Sequence, residues 1–97
     1  MSDLSAIVND RVERLRQLDV DSIRSLPELV IENVQANVSI NVNQYHLVAS
    51  SGEHLVIVQG GQDRWFGIST MIEVGGFAIS ADGTRRPLTE EERMPYE

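Results

Sequence analysis

The side chains best equipped for chemistry in this sequence are His46 and His54, together with the run Arg64-Trp65-Phe66. Histidine changes charge near neutral pH and is the commonest protein metal ligand. The two histidines flank a turn signal, Ser50-Ser51-Gly52-Glu53. A turn symmetric about Ser51-Gly52 pairs His54 with Ala49 and His46 with Ile57, which sets the imidazoles on opposite faces of a sheet. A one-residue change in the loop would bring them to the same face. Zinc requires three or four ligands, and Glu53 is the nearby carboxylate. No metal site is therefore assigned, and strand-surface histidines are the expectation.

Tryptophan and arginine are the residue types most enriched at binding hot spots. Arg64, Trp65 and Phe66 adjoin the glycine-rich stretch Gly60-Gly61-Gln62-Asp63, which reads as a turn. They are the candidate partner-binding residues, with Trp65 as anchor and Arg64 as a planar donor. The competing reading places Trp65 in the core and Arg64 in solvent beside it.

No catalytic residues are assigned. Nucleophilic catalysis needs a hydroxyl, a base and an orienting acid in contact. Gly67-Ile68-Ser69-Thr70-Met71 lacks the second glycine of a nucleophile elbow. The carboxylates cluster as Asp19/Asp21 and Glu90-Glu91-Glu92, at expected helix starts, where acids cap and oppose the helix dipole. Gly60-Gly61 and Gly75-Gly76 lack the spacing and following helix of a phosphate-binding loop, so no cofactor is assigned.

The elements that must position these groups follow from a change of period. Leu4, Ile7, Val8, Val12, Leu15 and Leu18 share one helical face, and Asp10 with Arg14 forms an i,i+4 pair. Ser2 or Asp3 can cap this helix, and Asp21 is the expected cap of a second short turn, Ser22 to Leu26, ended by Pro27. From about Leu29 the apolar residues alternate instead. Val34, Ala36, Val38, Ile40 and Val42 interleave with Gln35, Asn37, Ser39, Asn41 and Asn43, which predicts one amide- and hydroxyl-rich face. Either one long strand runs through this region or a turn near Ala36-Asn37 makes a hairpin; the favoured reading is two strands of about 29–35 and 38–49. Further strands are expected at His54–Gln59 and Phe77–Ser80, with a bend at Gly75-Gly76. In Trp65–Val74 the spacing of Trp65, Ile68, Met71 and Ile72 fits a helix, while Gly67 and the β-branched content favour a strand, which is the reading taken. Thr89 and Glu92 have capping-box spacing at the start of the tail. The expected fold is α+β, a helical segment 1–26 on a four- to five-stranded antiparallel sheet over 29–88, with a tail at 89–97, all in one domain.

The residues Gly76-Phe77, Ser80-Ala81-Asp82-Gly83-Thr84, Arg86-Pro87-Leu88-Thr89 and Glu91-Glu92 resemble the C-terminal signature of a family of small, uncharacterised bacterial proteins. Leu26-Pro27-Glu28 is similar to that family's helix–sheet junction. The resemblance implies a bacterial, single-domain protein and carries no activity or site.

The chain has a net charge of −7, and its 8 basic residues are all arginine. Leu29 to Gln62 contains no basic residue, so no positive stripe is available for nucleic acid or for an anionic membrane. Cysteine is absent, which removes disulfides and thiolate chemistry. Without a basic n-region or a long apolar run, a cytoplasmic location is expected. The expected function is a non-enzymatic protein–protein interaction module that self-associates weakly through a sheet edge, since no lysine guards one. The alternatives are a small-molecule-binding or enzymatic domain with a helix–sheet cleft, and an acidic immunity-type protein that masks a basic toxin.

Overall fold

The computed structural model describes residues 3–35, 39–64 and 69–97. Helix α1 (Asp3–Arg16) and the short α2 (Val20–Arg24) precede five strands: β1 (Leu29–Gln35), β2 (Ser39–Val48), β3 (His54–Arg64), β4 (Ser69–Ile79) and β5 (Arg85–Pro87). The strands form a meander in the order β1-β2-β3-β4-β5, antiparallel throughout. One turn of helix, α3 (Glu90–Arg93), and a 3₁₀ turn (Met94–Tyr96) end the chain. The fold is α+β, with α1 laid across one face of the sheet.

The apolar stripe explains the docking of α1. Leu4, Val8, Val12 and Leu15 are buried, and they meet Ile40, Val42, Val56, Val58, Phe77 and Ile79 of the sheet in one cluster. Arg11 leaves the edge of this stripe and reaches Glu32 on β1, with Nη2 donating at 2.6 Å. The expected Asp10–Arg14 pair forms at 2.8 Å. The cap of α2 is Asp19 and not Asp21: its carboxylate accepts from the Ser22 amide at 2.8 Å. Starting α2 two residues earlier lets Val20 pack against the core.

Two expected breaks in the sheet are absent. Gly60-Gly61-Gln62-Asp63 is not a turn but the continuation of β3, and Gly75-Gly76 lies inside an unbroken β4. The helix is the cause. A Cβ on Gly60 would stand 2.6 Å from Val8 Cγ2 and 2.8 Å from Leu4 Cδ1, and one on Gly75 would meet Val12 Cγ2 at 3.2 Å. The glycines make a shallow bed across β3 and β4 that brings α1 close to the backbone. Their use is tertiary, so local sequence rules mistake them for turns. The ladder of the described residues extends to Arg64↔Ser69; β4 is described from Ser69, and the expected strand start at Trp65 lies outside the described residues.

The opposite face is covered in part by the tail. Leu55, Ile57 and Ala78 are buried there beneath Leu88 and Tyr96. Tyr96 packs against Tyr45 with ring centroids 4.7 Å apart, and Gln59 Nε2 donates to the Tyr96 carbonyl at 2.7 Å. Arg86 fixes this arrangement. It donates to both carboxylate oxygens of Glu53, at 2.9 and 3.0 Å, and to both of Glu92, at 2.9 Å each. The guanidinium pulls Glu92 down to about 2 and lowers Glu53 as well. Thr89 and Glu92 complete the expected capping box. The tail residues picked out in the sequence are thus tied by physical need: Arg86 to Glu92, Thr89 to Glu92, and Asp82-Gly83 to the β4–β5 turn.

Candidate functional site

The β2–β3 turn decides the geometry of the histidines. The Ala49 amide donates to the Glu53 carbonyl at 2.8 Å, and the Gly52 amide donates to the Ala49 carbonyl at 2.9 Å. Gly52 has φ +90°. This is a hairpin loop of Ser50, Ser51 and Gly52, whose last residue takes the left-handed conformation that glycine tolerates. The register is therefore His46↔Val56 and His54↔Val48, one residue away from the symmetric-turn expectation. The expected placement of the imidazoles on opposite faces is overturned. Both lie on the helix-covered face, with His46 Nε2 and His54 Nδ1 2.8 Å apart.

The two rings are inclined by 18° with centroids 5.1 Å apart. That separation is as long as a 2.8 Å nitrogen–nitrogen contact permits, so the hydrogen bond is nearly in line with both rings. His46 Nδ1 lies 2.9 Å from the Leu26 carbonyl. A carbonyl only accepts, so the neutral His46 carries its proton on Nδ1 and accepts at Nε2. The His54 Nδ1–H then donates to His46, which leaves a lone pair on His54 Nε2. One proton can join that nitrogen without breaking either bond. A second would set two N–H donors against each other.

Burial lowers the proton affinity of His54, and the neighbouring His46 and Arg24 lower it further. The unfolded chain thus binds a proton more readily than the folded one in the range just below the ordinary histidine value. The contribution to stability is complete above about pH 6.5 and is lost as the pH falls through the folded value. Melting temperatures measured from pH 8 down to pH 5 are expected to fall below about 6.5 in the wild type. His54→Gln should flatten that part of the profile and leave the acid limb from Glu53 and Glu92 in place. A wild-type profile flat down to pH 5 would contradict the assignment.

Beside His46 opens a cavity of about 510 Å³, lined by Arg24, Leu26, Glu28, His46, Leu47 and Val48. Helix α2 supplies the guanidinium, the α2–β1 connection supplies Leu26 and Glu28, and the end of β2 supplies the rest. Among the described residues no group of three potential metal ligands converges.

The second candidate surface is the free edge of the sheet at β1. The His46 amide donates to the Glu28 carbonyl at 3.0 Å, so by antiparallel alternation the even-numbered residues of β1 bond inward to β2. The backbone groups of Leu29, Ile31, Asn33 and Gln35 consequently point away from the sheet. Leu29 is 48% exposed and Ile31 70%. Beside them runs the polar face expected from the sequence: Asn33 Nδ2 donates to Asn41 Oδ1 at 2.9 Å, and Asn43 Nδ2 donates to Gln59 Oε1 at 3.1 Å.

No family model, no curated protein and no solved structure matches the chain. The structure places Arg64 at the end of β3, opposite Ser69, while Trp65 and Phe66 lie outside the described residues. What the sequence reading missed is the histidine pair. The signal was the spacing of Ser50, Ser51 and Gly52, which specifies the loop register once Gly52 is given a positive φ.

Proposed function

We propose that the protein is a protein–protein interaction module whose contact is strand addition at β1, with a second copy of the chain as partner. The observation that carries this reading is the unguarded edge. β1 has neither lysine nor proline, and Ile31 is its most exposed large apolar side chain. An antiparallel pair centred on Ile31 joins outward-pointing groups to outward-pointing groups and seats Ile31 against its counterpart. Leu29 then faces Asn33 of the second copy, and the amide face becomes continuous across the junction. A pair centred on Glu32 would set two carboxylates opposite each other, which disfavours it. Glu32 is already engaged by Arg11 at 2.6 Å and faces the helix side.

The contact is small. A seven-residue strand with its flanking side chains falls below the roughly 1,200–2,000 Å² of a standard interface. Each copy carries a net charge of −7, and the resulting repulsion opposes association at low salt. A weak homodimer that tightens with added salt is the expected state. Sedimentation across a concentration series tests it: the average mass should rise toward twice 10.8 kDa, and Ile31→Lys should hold it at the monomer. A wild-type protein that stays monomeric up to millimolar concentration would overturn the proposal.

A further inference from the structure

We infer that the cavity between α2 and the end of β2 binds a small aliphatic carboxylate, held by Arg24 beside the paired imidazoles of His46 and His54. Three observations converge on it. The first is the state of Arg24. Five arginines pair with a carboxylate within 4.0 Å, and Arg85 donates to the carbonyls of Leu18 and Gly83. Among the described residues Arg24 has neither an ion pair nor a hydrogen-bond partner, yet it lines the cavity with His46.

The second observation is the imidazole pair itself. Leu26 fixes the tautomer of His46, and His46 accepts from His54. The pair can take up one proton with both hydrogen bonds intact, so it can supply a positive charge beside Arg24 without rearrangement. Besides burial, the neighbouring His46 and Arg24 lower the proton affinity of His54, and an anion bound at Arg24 would offset that guanidinium's part. Linkage then requires that the carboxylate raise the proton affinity of the pair and that protonation tighten the carboxylate by the same factor.

The third observation is the rest of the lining. Leu26 and Val48 form an apolar wall, with Val48 64% exposed. That wall suits a short branched or linear alkyl group. Glu28 faces the same space. Its charge favours a monoanion over a phosphate dianion and keeps the affinity modest in a chain of net charge −7. The charged and titratable groups around the site are thus Arg24 from α2, Glu28 from the connection, His46 from β2 and His54 from β3. On β4, Ile79 is paired with His54 and adds no charge.

The test is a titration of the wild-type protein with sodium isobutyrate. Histidine ring signals and the Leu26 and Val48 methyl groups are followed by NMR, below and above the histidine range. Saturable shifts at these residues are expected, with affinity about tenfold higher at the lower pH, within the usual range of coupling between sites. The ring titration of the histidine pair should move upward when isobutyrate is bound. Arg24→Gln should lose about tenfold in affinity while melting as the wild type does, since Arg24 is exposed. Glu28→Gln should bind more tightly and keep the pH dependence. Isopropanol, which lacks the charge, should not saturate the site. Ile31→Lys should bind isobutyrate as the wild type does, because the β1 edge plays no part here. Binding indifferent to pH, binding unchanged in Arg24→Gln, or no saturable shift at hundreds of millimolar would each overturn the inference.

Discussion

Gly76→Ala is expected to cost about 3–5 kcal/mol, as the combined effect of backbone strain and forced overpacking. Gly76 has φ +148°, and an added Cβ would stand 2.1 Å from the Val56 carbonyl oxygen and 3.1 Å from Ile57 Cα. Both are backbone atoms of the neighbouring strand, in the middle of the β3–β4 ladder, so they cannot turn aside as a side chain would. The ladder itself would have to open where Ile57 and Ala78 are fully buried. Urea unfolding measures the cost. Gly61→Ala is the control, because nothing lies within 4 Å of its added Cβ, and it should change stability by less than about 1 kcal/mol. Equal effects at the two glycines would show that the β3–β4 approach is looser than described.

The second large effect is expected from Leu15→Ala. Leu15 is 6% exposed and belongs to the cluster that joins α1 to the sheet. Removing its side chain leaves a void between a rigid helix and a rigid sheet, which should cost roughly 2–5 kcal/mol. Glu13→Ala, on the solvent side of the same helix, should stay within about 0.5 kcal/mol. A loss at Leu15 no larger than the one at Glu13 would mean that α1 is not docked through this face.

The candidate site was legible only in part. His46 and His54 stood out as residue types, and the strand pair that holds them was readable from the alternation on either side of Ser50-Ser51-Gly52. Their contact was not readable, because faces in a sheet invert with a single residue of register. The left-handed Gly52 supplies that residue. The role of Arg24 was less visible still. It belongs to a five-residue helix whose cap lies at Asp19, and its meeting with the end of β2 depends on the path of Leu26-Pro27-Glu28. Unguarded sheet edges were foreseen, but that β1 is one of them follows from the strand order, and which of its backbone groups face outward follows from the Glu28–His46 hydrogen bond.

The sequence by itself determined the elements whose cause is local. The apolar stripe of α1 marked Leu4, Val8, Val12 and Leu15 for burial, and alternation marked the strand region from Leu29 and its amide face. Thr89 and Glu92 specified the last helical turn by their own hydrogen bonds. Tertiary structure decided the rest, and the glycines show why. Gly60, Gly75 and Gly76 carry the same local signal as Gly52 and Gly83, yet only the latter two turn the chain. Gly60 and Gly75 make room for Val8, Leu4 and Val12 of a helix some fifty to seventy residues earlier in the chain, and Gly76 makes room for the backbone of β3. A glycine is read locally as freedom of the backbone; here its missing Cβ serves as space, and space is defined only when the distant element arrives to fill it.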